Sequence, residues 1–151
     1  MGAIMEFATE KQIASFLSTC RIEGQKNFLM AFKKKTWLKS FIDFFIIGGS
    51  YYVQSSVKSK ILAFTPKGIY LMDISDVTEN RFNQVLEMSW NQVQEFTYKP
   101  VLNTVRLNWN YQNESYIFSV DVGQVSQHVG QYQFNKEHYD YLAQQDFFRS
   151  K

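Results

Sequence analysis

Lys33, Lys34, Lys35, Trp37 and Lys39 lie within one short stretch, and their side chains are the ones in this chain best suited to recognising a ligand. Clustered ammonium groups attract anions, and a neighbouring indole can sit at a lipid headgroup boundary, so the pattern fits lipid, nucleic acid or an acidic protein. Between Gly24 and Ile42 there is no acid, which leaves the five lysines of that interval without a local salt-bridge partner. From Arg21 to Lys67 nine basic residues face two acids, a local balance of +7 in a chain whose total is +2. The plainer use of such a run is a solvated face, and both readings stand at this point.

Other reactive side chains do not assemble. His128 and His138 are ten residues apart, without acidic or cysteine neighbours at metal-ligand spacing, and read as surface histidines. Asp73 and Asp76, three apart at a strand end, suit a turn better than a carboxylate pair. Gly48-Gly49-Ser50 is too short a glycine signal to cradle phosphate, and no nucleophile elbow, Walker loop or His-Glu-x-x-His is present. Cys20 is the single cysteine, so no internal disulfide forms and packing is its expected use. The chain therefore reads as a non-enzyme with no cofactor and no metal site.

At 151 residues, 45% hydrophobic and 17% aromatic, the composition suits one domain with a pleated, half-buried core. The N-terminus lacks a basic region followed by an apolar one, and the apolar stretch Phe41–Gly49 is interrupted by Asp43 and too short for a bilayer. A cytoplasmic protein, peripheral to a membrane at most, is expected. Asn113-Glu114-Ser115 matches the glycosylation acceptor pattern but reads as a polar turn.

The elements follow from spacing. Thr9-Glu10-Lys11-Gln12 is a capping box, and Ile13, Phe16, Leu17 and Cys20 recur at helical intervals, predicting a helix over 10–19. Asn27–Lys33 reads as a strand buried on both faces. Thr36–Gly49, with Trp37, Phe41, Phe44 and Phe45 at helical spacing, is a short amphipathic helix or an ordered loop, packed in the core or exposed as an interfacial anchor. Lys60–Ile74 is a hairpin around Thr65-Pro66-Lys67-Gly68, where Pro fixes φ and Gly is expected at positive φ. Asp76–Arg81 reads as a polar connection, Val85–Ser89 as a strand, and Val93–Tyr98 as another, broken by Lys99-Pro100. Val105, Leu107, Trp109 and Tyr111 alternate with polar residues and turn at Gln112-Asn113 into Tyr116, Phe118, Val120 and Val122. Gly123–Gly130 is a loop. Asn135 is then the expected N-cap of a closing helix whose apolar stripe holds Tyr139, Leu142, Ala143 and Phe147.

The hairpin ILAFTPKGIYLMD, the strand ending SWNQVQEFTYK, the hairpin VRLNWNYQNESYIFSVD and the final helix together resemble the bacterial pleckstrin-homology-like domains over roughly Lys26 to Phe148. The resemblance implies a mainly β fold with flanking helices, a bent antiparallel sheet or barrel of about seven strands capped by the C-terminal helix. Residues 1–25 then form an N-terminal amphipathic helical extension to a domain spanning 26–151. What such domains share is a fold, not a chemistry. Relatives in eukaryotes often read phosphoinositides through basic residues between the first two strands, close to where Lys33, Lys34, Lys35 and Lys39 fall, although phosphoinositide itself is not implied here. The expected role is a binding module whose partner is a protein or a second copy of the chain. An anionic membrane met through residues 33–45 is the alternative. Nucleic acid is the weakest partner, because Tyr98, Trp109 and Tyr111 would have to stack bases from a segment poor in basic residues.

Overall fold

The computed structural model describes residues 8–33, 59–123 and 134–149. Seven strands form one antiparallel sheet: β1 (Phe28–Lys33), β2 (Ser59–Thr65), β3 (Gly68–Asp73), β4 (Leu86–Ser89), β5 (Gln94–Val101), β6 (Thr104–Tyr111) and β7 (Glu114–Asp121). Their order is β4-β3-β2-β1-β7-β6-β5, so β4 and β5 are the open edges. Three helices accompany them among the described residues: α1 (Glu10–Thr19), the single turn α2 (Ile74–Thr78) and α3 (Phe134–Gln144). The fold is mainly β, with the C-terminal helix capping a bent sheet.

The bend is measurable. In a flat sheet β2 and β5 would lie four strand spacings apart, about 19 Å. Yet the rings of Phe64 and Phe96, one on each, have centroids 6.1 Å apart. Trp109 of β6 likewise donates its indole N–H toward Met88 Sδ of β4 at 3.4 Å. Leu29, Leu62, Ile69, Leu107, Trp109 and Phe118 fill the concave side together with Leu142 and Phe147. On the opposite side of β1 to β3, Phe28, Met30, Ile61 and Met72 pack against Ile13, Phe16 and Leu17 of α1 and Ile74 of α2. Alternate residues of β1 thus enter two different cores, which is why its sequence is apolar without a break. The capping box of α1 forms, with Gln12 N donating to Thr9 Oγ1 and Thr9 N to Gln12 Oε1.

Several local expectations are corrected. Gly68 is not at positive φ; glycine is required because a Cβ there would sit 2.1 Å from the Met88 carbonyl oxygen of β4. Ile74, read as the end of the hairpin, and Asp76–Thr78, read as the start of a polar connection, belong to α2, in which Asp73 N donates to Asp76 Oδ2 at 2.9 Å, and a 3-10 turn follows at Phe82–Gln84. Pro100 does not break β5, which runs on to Val101 and pairs Pro100 with Val105. An edge strand needs no N–H on its free side, so the proline is tolerated. Trp109 and Tyr111 are buried, not exposed for stacking, because their face of β6 is the concave one. Lys26 finds an acid after all, Glu137 of α3 at 2.8 Å, a partner remote in sequence.

The largest correction concerns α3. Among the described residues β1 and β7 share two rungs, Phe32↔Ser119 and Lys33↔Phe118. Beyond them α3 supplies what the ladder lacks. Asn135, expected as the cap, lies inside the helix and is buried. Its Oδ1 accepts from Met30 N at 2.9 Å, and its Nδ2 donates to Met30 O at 2.9 Å and to Asp121 O at 3.1 Å. His138, expected at the surface, is fully buried, its Nδ1 2.7 Å from the Phe28 carbonyl oxygen. A carbonyl can only accept, so Nδ1 carries the proton. On its other side Nε2 lies 3.0 Å from Glu10 Oε2, tying α3 to α1.

Candidate functional site

The basic segment enters the structure at its first residue alone. Lys33 ends β1 opposite Phe118, while Lys34, Lys35, Trp37 and Lys39 lie outside the described residues, as do His128 and the segment 36–49. Because β1 runs antiparallel to β7, it leaves Lys33 heading toward the Glu114 end of β7, away from Asp121.

Buried polar groups in the described part are spent on structure, except Asn27 Oδ1, which has no hydrogen-bond partner among the described residues. Asn27 Nδ2 donates to the carbonyls of Glu23 and Phe64, Asp76 caps α2, and Asn135 and His138 complete β1. The Cys20 thiol packs against the α1 core and burial raises its pKa, which keeps it protonated. Among the described residues no group of three or more His, Cys, Asp or Glu side chains gathers where a metal could sit. No helix among them is long and apolar enough to cross a membrane. An open hollow of about 630 Å³ lies beside α1, lined by Lys11, Ser15, Ser18 and the turn from Arg21 to Gln25.

Two surface features present apolar side chains instead. The first is the β4 edge. Leu86 on that strand is 38% exposed and Phe82, just before it, is 43% exposed, its ring stacked on Phe16 of α1 at 5.0 Å. Among the described residues β4 pairs with β3 on one side only. It carries no proline, no lysine and no bulge, and what protects it is its length of four residues and the exposed Glu87. The β5 edge has all three devices that β4 lacks: Pro100, Lys99 and a register shift between Gln94 and Thr97, with Glu95 at φ 56.

The second feature is the β5–β6 turn. Val101 pairs with Thr104, leaving Leu102-Asn103 as a two-residue loop in which Leu102 alone has positive φ, 56°. That is the pattern of a type II′ hairpin, which favours glycine at this place. Leucine there costs about 1 kcal/mol of backbone strain, and its side chain is 98% exposed. Behind it Lys99 and Arg106 are directly opposed on the two strands, exposed, and without an ion-pair partner among the described residues.

No family model, curated protein or solved structure matches this sequence.

The sequence reading missed both features. Leu86 was read only as part of a strand. The sign of the second was available: an apolar pair, Val101-Leu102, directly after a proline, where a turn would ordinarily hold Gly, Asn or Asp.

Proposed function

We propose that this chain is a non-enzymatic binding module of pleckstrin-homology-like architecture that takes an extended segment of a partner protein along β4. The observation that carries the reading is the asymmetry of the two sheet edges: β5 is guarded by Pro100 and a bulge, while β4, short and marked by Glu87, has neither and among the described residues no second strand beside it, and is flanked by Leu86 and Phe82. An added strand would satisfy the free N–H and C=O groups of β4, and its alternate side chains would cover the two apolar residues. The use of the buried Asn135, His138 and Asp76 in holding the frame also supports a binding role over a catalytic one.

The test is selection of short displayed peptides on the folded protein. Binders are expected to alternate apolar and polar residues, to slow hydrogen exchange at β4, and to be lost on Leu86→Lys or Phe82→Ser. Reversible dimerisation abolished by Leu86→Lys would make the partner strand that of a second copy. Binders indifferent to both substitutions would overturn the site.

A further inference from the structure

We propose that the β5–β6 hairpin is a membrane-contact element whose tip enters an anionic lipid bilayer. Leu102 is 98% exposed and Val101 39% exposed, so the two form an apolar point at the turn. The backbone makes a sacrifice to place the leucine there, since the positive φ of 56° in this loop favours glycine. Lys99 lies two residues behind Val101 on the same face of the strand, about 7 Å back, with Arg106 directly across from it. Adjacent like charges on neighbouring strands repel; anionic headgroups at that depth would relieve the repulsion. An apolar tip buried about 5–10 Å into the interface puts both cations at the level of lipid phosphates. The nearest acid on this face, Asp121 opposite Thr104, accepts a hydrogen bond from Gly123 N at 2.9 Å. A bilayer suits a convex two-residue point better than a protein does, because protein hot spots sit at the centre of broad, well-packed patches. This contact is separate from the β4 edge, and β1 itself runs toward the opposite end of β7 from this turn.

The experiment is co-sedimentation with vesicles of equal parts phosphatidylserine and phosphatidylcholine, against phosphatidylcholine alone. Reversible binding at low salt to the anionic vesicles is expected, falling steeply as salt rises. Leu102→Gly relieves the strained turn, so Tm should hold or rise while lipid partitioning drops about tenfold. Lys99→Gln and Arg106→Gln should each lower it about fivefold. Leu86→Lys should leave it unchanged, which keeps this test independent of the strand-binding one. Full binding by Leu102→Gly overturns the proposal, as does binding lost only when Lys33, Lys34, Lys35 and Lys39 become glutamine. No sedimentation of the unaltered protein at low salt also overturns it, and leaves the tip to a protein partner.

Discussion

A carboxamide carries a donor and an acceptor at nearly the spacing of a peptide group, which lets Asn135 pair with both the N–H and the C=O of Met30 as a strand residue would. Replacing it with alanine leaves those two buried main-chain groups unpaired, each at about 1–3 kcal/mol. Asn135→Ala is therefore expected to lower stability by about 2–5 kcal/mol, read as a shift in the urea midpoint. Nothing in the sequence distinguishes this asparagine from an N-cap: both roles want a short polar side chain near a helix start, and the partner that decides between them is 105 residues away. His138 was hidden for the same reason. Its neighbours in sequence are polar, while its hydrogen-bond partners come from β1 and α1.

Elements bounded by local signals were legible. The Thr9 capping box, the alternation around Trp109 and the Gln112-Asn113 turn, with φ of 52° and 64°, are each dictated within a few residues. Where an element depends on its place in the sheet, local rules misled. Pro100 reads as a terminator until β5 is known to be an edge, and Gly68 reads as a turn residue until Met88 is seen against it. Gly68→Ala must push β4 off β3 because the obstacle is main chain. The expected result is a loss of about 2–3 kcal/mol, with fast hydrogen exchange at residues 86–89 while β6 and β7 stay protected. Uniform loss of protection would show that β4 is no separable unit. Of the candidate binding residues, only Lys33 is placed, and the two apolar features now proposed as contacts emerge from topology, which sequence spacing does not carry.

On the scale of the whole molecule, the aromatic content sets an alkaline limit. Burial is the first cause raising the phenol pKa of Tyr70, Tyr98, Tyr116 and Tyr139, and for Tyr116, which also donates to Glu114, it reaches about 12. A raised phenol pKa means the fold favours the neutral form. The stability it contributes is fully present below the unfolded value of about 10 and is lost as pH rises from there through the folded value. Ultraviolet titration should show phenolate appearing later in the native protein than in urea, with the urea midpoint falling above about pH 10. Coincident titration curves would contradict it. The two-rung seam between β1 and β7 has a further consequence, for the order of assembly. The hairpins β2–β3 and β6–β7 close over short loops, but the seam joins positions 87 (119 − 32) and 85 (118 − 33) residues apart, and the α3 groups that extend it are 105 and 110 residues from their partners. Contacts that distant form after the local ones, so two part-sheets exist first and the helix enters between them as a key. The last step of folding is then an insertion rather than a collapse, and until it happens an α3 from a neighbouring chain fits the same slot, a route to exchanged dimers.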